Sequence, residues 1–470
     1  DVPVLAPARA TAVFATGDGR AAGARIERPD GTHEDIACRA LLLACNGFGG
    51  NRDMVARYIP EMADALATLG RVAMLQYRWD EAIRLFDQAL CVRTDPVTLT
   101  NLGICYWKTG QIDQAEYCLR GALEVEPGFA AARTGMATLH HACGRFGQAL
   151  AELDIVLRVV PGEPQAQTRR GCALARLERY DEAQAAFKKA AAQPGNFMYP
   201  RLVSFDAEMW TQVSAPARVM EPPRTAFAVG NAADADYVTL ISCNPPYVRK
   251  FGMPFLRSFS DHAPDRGLLH VHVYDPDDHI VGELRQEVAR SGLKRIVLTT
   301  EHSPFPAERP FQRRAYYACG RLVHMSRWLA RYARPILCLD VDFIVEGGLS
   351  ELVAEAQGVD MALNPRVPMD SPWLDIIANI IIANPTPAAA AFFSAVGNYA
   401  MAMLEREPES WLVDQTALYC VLAMMRRFAR EPAIAWLAPD AAEGLLWHIG
   451  HAYEHLLEDP RYRKYAAAAA

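Results

Sequence analysis

Residues 78–89 read RWDEAIRLFDQA, and the arrangement returns as QIDQAEYCLRGA at 111–122, RFGQALAELDIV at 145–156 and RYDEAQAAFKKA at 179–190. The offsets of 33 and 34 residues mark stacked helix pairs rather than one globular core. Each copy places a small residue (Ala82, Ala115, Ala149, Ala183) ahead of a bulky one (Phe86, Leu119, Leu153, Phe187). A second small position follows at Ala89, Ala122 and Ala190, with Val156 in its place once. Twelve residues before each first alanine stand Gly70, Gly103, Ala137 and Gly171, and Pro127, Pro161 and Pro194 close the second helices. A lone helix pair cannot bury its apolar face. Small residues let helices approach closely, and the aromatic ring or leucine fills the seam to the next pair. Trp79, Ile112, Phe146 and Tyr180 read as packing residues of the same scheme.

The repeat length and its small, aromatic and proline positions resemble the tetratricopeptide family. That resemblance implies an all-α superhelix of four repeats over 63–195, with a capping helix drawn from 196–210. A peptide or protein partner would meet non-signature positions such as Asn101, Lys108, Arg133 and Arg169 on its concave surface. His140 and His141 are adjacent on a helix and diverge, so they read as packing or surface residues, not a metal pair.

Upstream, residues 11–16 and 22–28 alternate loosely around Gly17-Asp18-Gly19, and a second turn at Asp30-Gly31 leads into the apolar run Ile36 to Ala44. The stretch DGTHEDIACRALLLACNGFGGNRDMVARYIPEM, with Asn46-Gly47-Phe48-Gly49-Gly50-Asn51 inside it, resembles a segment of the fumarate reductase and ketosteroid dehydrogenase flavoproteins. The G-x-G-x-x-G that receives a dinucleotide at a helix N-terminus is missing, so residues 1–62 are expected to be a short, non-catalytic β-rich piece without FAD.

Downstream of a proline-bearing connector at 196–235, which contains Glu221-Pro222-Pro223-Arg224, the pattern becomes strand–helix alternation. Strands are predicted at Val238–Ser242, Leu268–Tyr274, Ile296–Thr300 and Ile336–Leu339. Helices are predicted at 248–259, 280–291 and, as one long element, 312–333. Strands buried on both faces read this way in parallel sheets, whose ligands sit at the strand C-termini. Asp340-Val341-Asp342 falls at such an end, and two carboxylates there offer oxygen ligands to a hard divalent cation. Asp275-Pro276-Asp277-Asp278 also follows a strand but reads as turn chemistry.

The stretch ARPILCLDVDFIV resembles the Asp-x-Asp strand of GT-A (Rossmann-like) nucleotide-sugar glycosyltransferases related to glycogenin and the lipopolysaccharide transferases, and the likeness covers 236–470. On that resemblance Asp340 and Asp342 hold Mn²⁺ or Mg²⁺, with His448 of WHIGHAY completing the set and His451 as fallback. Tyr247 and Asn244 of TLISCNPPYVRKFGMPFLRSF lie at the nucleotide base, and Asp340 also reaches the ribose side. Asp414-Gln415 of WLVDQTALYCVL stand near the transferred sugar, with helix capping as the competing role for Asp414. ANIIIANPT is the central strand, where Asn379 and Asn384 are rival polar contacts to the donor. The family's lysine beyond His-x-Gly has no counterpart in His451-Ala452-Tyr453-Glu454, so Arg321, or else Arg314, is cast as the phosphate partner. An inverting reaction would instead need a base among Asp370, Asp375 and Asp414.

The 470 residues are 51% hydrophobic and 22% charged, a globular composition with room for two or three cores. Lys and Arg total 48 against 55 Asp and Glu, a net −7, so no basic field exists to hold nucleic acid. The 11 cysteines stand singly, as buried thiols in a reducing compartment. The opening Asp1-Val2-Pro3-Val4 lacks the form of a signal peptide, and no apolar run reaches the ~20 residues of a membrane span. A cytoplasmic place, peripheral to the inner membrane face, is expected. The sequence therefore reads as a multidomain chain: a retaining, metal-dependent transferase whose donor is a nucleotide-sugar, UDP-linked by preference. Its acceptor is a glycan or protein, recruited by the repeats. The alternative is a non-catalytic tetratricopeptide scaffold with a degenerate transferase domain. A nucleotidyl transferase would need a Gly-rich phosphate loop at the first strand, and none is found.

Overall fold

The computed structural model describes residues 9–16, 21–37, 61–192, 201–216, 220–262, 267–366, 371–407, 411–449 and 454–466. The chain divides into two compact units, Asp1–Pro161 and Gly162–Ala470.

The first unit opens with an antiparallel sheet of β1 (Arg9–Ala15), β2 (Ala21–Glu27) and β3 (His33–Ala37), in the order β1-β2-β3. Its second turn is the one read at Asp30-Gly31: Gly31 takes φ 79°, and Asp30 Oδ1 accepts the Thr32 amide at 3.0 Å. The Gly17-Asp18-Gly19 turn, the apolar run beyond Ala37 and the glycine-rich 46–51 segment lie outside the described residues.

Three helix pairs follow: α1 (Glu61–Leu75) with α2 (Trp79–Val92), α3 (Pro96–Lys108) with α4 (Ile112–Val125), and α5 (Ala130–Ala142) with α6 (Phe146–Val159). The repeat positions act as their spacing implies. Ala82, Ala115 and Ala149 are fully buried, as is Phe86, with Leu119 and Leu153 at 1% exposure. The first glycine shows why it is one: a Cβ on Gly70 would lie 2.6 Å from the Phe86 ring. The helix closes onto the aromatic face at a distance no side chain permits. Asp95 caps α3, accepting the Thr98 amide at 2.8 Å ahead of Pro96 at the first helical position.

The fourth pair, α7 (Pro164–Arg176) and α8 (Tyr180–Ala191), belongs to the second unit. Phe187 sits there at 0% exposure, edge-on to Trp373 at 5.5 Å and to Phe205 at 6.2 Å. The connector is more structured than its prolines suggest. It holds α9 (Ala207–Val213), which extends past the expected capping segment, and β4 (Arg224–Val229). β4 pairs antiparallel with β7 as the last strand of the main sheet, because Pro222 and Pro223 precede the ladder rather than interrupt it.

The remaining strands are β5 (Tyr237–Cys243), β6 (Gly267–Tyr274), β7 (Ile296–Glu301), β8 (Ile336–Leu339), β9 (Phe343–Val345), β10 (Met361–Pro365), β11 (Ile376–Ala383), β12 (Ile434–Trp436) and β13 (Leu446–His448). The helices are α10 (Met253–His262), α11 (Ile280–Ser291), α12 (Pro310–Val323), α13 (Met325–Tyr332), α14 (Ser350–Ala354), α15 (Pro387–Arg406), α16 (Val413–Phe428) and α17 (Pro460–Ala466). The eight-stranded sheet runs β12-β10-β11-β8-β5-β6-β7-β4, and β13 pairs with β9 in a small second ladder. The sheet is mixed. β8, β5, β6 and β7 are parallel, as their unbroken apolar runs predict, whereas β11 and β4 run against them. The expected single helix at 312–333 is two, α12 and α13, joined at His324, whose buried ring is held by Glu301. α15 is long and apolar enough to cross a membrane, but it packs against α12, α13 and α16 and 67% of its most apolar window is buried. It is a core helix of this unit.

Truncating Phe187 to alanine should lower the stability of the second unit by about 3–5 kcal/mol, the cost of an unfilled aromatic site. A urea titration followed by circular dichroism reads this as an earlier midpoint. Tyr117→Ala, at a residue 79% exposed, should leave the midpoint unmoved.

Candidate functional site

The chain fills β5, β6 and β7 outward on one side, then returns to lay β8 against the other flank of β5. Such a reversal opens a crevice beyond the strand C-termini. Asn244 follows β5 and Asp340 follows β8, so both stand at its mouth.

Asp340, Asp342 and His448 come together here, their ligand atoms all within 4.8 Å of one another. The backbone explains how a residue more than a hundred positions away arrives. β13 pairs antiparallel with β9, matching His448 to Phe343, and the Ile449 amide donates to the Asp342 carbonyl at 2.8 Å. The imidazole lies on the Phe343 ring at 4.7 Å, with Nε2 3.4 Å from Asp342 Oδ2. Asp342 is fully buried, while the side chains of Asp340 and His448 are 29% and 46% exposed. The cluster thus has a closed back and an open front. Burial opposes the charging of His448, yet Asp342 and Asp340 raise its pKa above the ordinary histidine value. Two carboxylates and an imidazole are the donors of a divalent cation site.

Arg321, on α12, lies beneath the cluster. Its guanidinium pairs with Asp340 and donates to the Leu339 carbonyl at 3.1 Å and the Ala378 carbonyl at 2.8 Å. It is therefore bound to strand backbone as well as to a site carboxylate. Arg314 points elsewhere, exposed over the Phe311 ring at 4.6 Å.

Asp414 is in the first turn of α16, not at its cap. The capping position is Leu412, a non-glycine residue at φ 59°, and Asp414 Oδ1 accepts the amide of Gln415 at 2.8 Å. Capping therefore does not account for this carboxyl. Its pKa is pushed up to about 6, first by burial and further by Asp340, with Arg321 opposing. Gln415 is buried, and its Oε1 has no hydrogen-bond partner among the described residues.

The other expected residues divide. Asn244 caps the segment after β5, accepting the Tyr247 amide at 3.3 Å, and leaves Tyr247 39% exposed with its ring 5.4 Å from Phe251. The same segment nears the carboxylate loop where Gly252 faces Val341. Asn379 belongs to the site: its carbonyl accepts the Asp340 amide at 3.0 Å, and its side chain accepts from Asn364 at 2.9 Å. Asn384 does not, since its amide is spent on the Ala356 and Val359 carbonyls at 2.6 and 2.7 Å. Asp375 is not a free base, being bound by both guanidinium nitrogens of Arg176. Asp370, Gly450 and His451 lie outside the described residues. Asp277 is a turn residue that accepts the His279 and Ile280 amides, as its sequence predicts. In the repeats, Arg133 is held by Glu152 at 2.6 Å and by the Pro127 carbonyl, whereas Lys108 is exposed. Sequence reasoning missed Asn364, whose only signal is its place at the end of a short strand.

Asp414 also supplies a pH signature. With about 3.8 unfolded and about 6 folded, the native state binds the extra proton in that interval, so stability falls as pH rises through it. Asp414→Asn should remove a fall on the order of 2–3 kcal/mol between about pH 4 and pH 6. Denaturation midpoints of the two proteins across that range test it; parallel curves would contradict it.

Tetratricopeptide-repeat family profiles match residues 62–94, 106–170 and 164–192. The mitochondrial import receptor subunit TOM70 of Saccharomyces cerevisiae is 26% identical over 109 residues, 23% of this chain and 18% of the receptor. The chain thus spans under a fifth of the curated relatives it matches. Among solved structures, the 41-end fragment of MamA from Desulfovibrio magneticus RS-1 is 19% identical, with a TM-score of 0.28 over 30% of this chain and 81% of that one. YrrB, described as a TPR protein with an unusual peptide-binding site, is 23% identical, with a TM-score of 0.26 over 32% and 77%. The helix pairs between residues 62 and 192 are tetratricopeptide repeats.

Proposed function

We propose that the second unit is a metal-dependent GT-A-type glycosyltransferase that takes its sugar from a nucleoside diphosphate donor, and that the repeats bring it a protein or peptide partner. The observation that carries this reading is the convergence of Asp340, Asp342 and His448 at the reversal point of a largely parallel sheet. Their donor set fits Mn²⁺ or Mg²⁺. Such an ion supplies charge stabilisation to a departing diphosphate.

The chain's own residues have separable tasks. Asp342, closed off behind, and His448, at the open edge, would hold the ion between them. Asp340 shares its charge between the ion and Arg321, which keeps that carboxylate fixed against the strand ends. Tyr247, exposed beside the crevice, offers a ring face to a base. Asp414 and Gln415 present a carboxyl and an amide oxygen from one helical turn. Asp414 flanks the sugar if configuration is retained, or takes the acceptor's hydroxyl proton if it is inverted. The anomeric configuration of the product distinguishes the two.

A second reading is favoured by a specific observation: the curated relative is a receptor, and the family matches fall within the repeats. On it the chain is a peptide-binding scaffold and the crevice is inert. Calorimetric titration of the full chain with UDP and with GDP, each with and without Mn²⁺, separates the readings. The transferase reading expects binding that requires the ion and is lost in Asp342→Asn. A folded chain that binds neither nucleotide under either condition overturns it in favour of the scaffold.

A further inference from the structure

The second unit buries another convergent group, away from the crevice carboxylates. His272 comes from the middle of β6, Glu301 is the last residue of β7, and His324 sits at the junction of α12 and α13. Their side chains are 0%, 8% and 2% exposed. Imidazole Nε2 of His324 is 2.7 Å from Glu301 Oε2, that of His272 is 3.2 Å from Glu301 Oε1, and the three ligand atoms lie within 4.8 Å of one another. We propose that His272, Glu301 and His324 form a second, buried metal site that takes a divalent ion of the zinc class.

Two imidazoles and one carboxylate are a borderline nitrogen–oxygen set, suited to zinc rather than to magnesium or calcium. Ligands about 2.0–2.1 Å from a tetrahedral ion stand roughly 3.3 Å apart. The His272–Glu301 pair is already at that spacing, and His324 Nε2 lies against the other oxygen of the same carboxylate. The decisive atom is His272 Nε2. It is buried and close to a carboxylate oxygen, yet it makes no hydrogen bond among the described residues. That is the relation of two ligands sharing an ion, not of a donor and its acceptor.

The surrounding groups fix the ligands as outer partners of a metal site do. His272 Nδ1 is bonded to Thr299 Oγ1 at 2.8 Å, on the register-matched neighbour in β7. Tyr316 donates its hydroxyl to Glu301 Oε1 at 2.9 Å and stands 3.4 Å from His324 Nε2. Burial favours the neutral form of His272, and the neighbouring imidazoles favour the charged form of Glu301 against its own burial. Arg327 reaches His324 Nδ1 at 3.3 Å, but it also donates to the Met220 carbonyl at 3.2 Å and keeps that bond when an ion takes the ring. A cavity of about 60 Å³, lined by Met220, Val323, His324 and Arg327 among others, lies against one member of the cluster.

The test uses the full chain carrying Asp342→Asn, so that the crevice cluster cannot hold the ion. This protein is loaded with Zn²⁺ or Co²⁺, passed through gel filtration, and measured by elemental mass spectrometry and by the visible bands of four-coordinate Co²⁺. One retained ion per chain is expected, with those bands. Adding His272→Asn or Glu301→Gln should abolish retention, while circular dichroism shows the fold intact. No ion retained by the Asp342→Asn protein overturns the proposal, as does an ion kept undiminished by both added variants. Should His272→Asn fail to fold, the near-isosteric Glu301→Gln decides alone.

Discussion

The guanidinium of Arg321 is the constraint on which the crevice rests. It is a buried cation tied to the carbonyls of Leu339 and Ala378, one on β8 and one on β11, and to the carboxylate of Asp340. An unpaired charge at that depth would be severely destabilising, so the pairing with Asp340 is obligatory rather than ornamental. It also sets the local charge. Asp340, Asp342 and Asp414, when ionised, oppose a single guanidinium and leave a surplus of two negative charges in this region. A divalent cation matches that remainder. The raised pKa of Asp414 comes first from its burial, and Asp340 adds to it while Arg321 opposes it.

The antiparallel strand β11 enters for a related reason. It lies between β8 and β10 and delivers Asn379, whose carbonyl fixes the Asp340 amide. A parallel strand in that place would present the opposite end of its backbone to the carboxylate loop. The reversal of direction therefore belongs to the site's construction. The second ladder does similar work for His448. β9 continues straight from Asp342, and β13 pairs with it, so the spacing of His448 from the carboxylates is set by strand register rather than by a loop.

Legibility in the sequence follows the range over which each feature is specified. The repeats are local and periodic: Gly70 against Phe86 is a contact within one helix pair, and its signature recurs at 33 and 34 residues, so pattern alone exposes it. The parallel strands were visible as unbroken apolar runs. Asp340 and Asp342 could be read because two carboxylates closely follow such a run, and His448 because the order of motifs resembled a family. What could not be read depends on pairing partners far along the chain. β4 looked like a linker because Pro222 and Pro223 stand immediately before it. The break at His324 was hidden inside continuous helical periodicity, since it comes from a hydrogen bond to Glu301 on a distant strand. His272 sits in a strand whose every residue is buried, where a histidine is indistinguishable from a packed core residue until its neighbours are known.

The two clusters differ in a way that assigns them different work. At Asp340, Asp342 and His448 two of the three side chains are partly exposed and the crevice is open in front, so on the proposed reading an ion held there would keep part of its coordination shell for a substrate. At His272, Glu301 and His324 the side chains are buried and Tyr316 is bonded to Glu301. An ion there would meet no substrate and could act only on the fold, tying β6 and β7 to the junction of α12 and α13. That junction is followed back along α12 to Arg321, a single turn earlier. A bond that pins His324 therefore also fixes the helix that holds the guanidinium beneath the crevice, and the closed cluster supports the open one through one short length of helix.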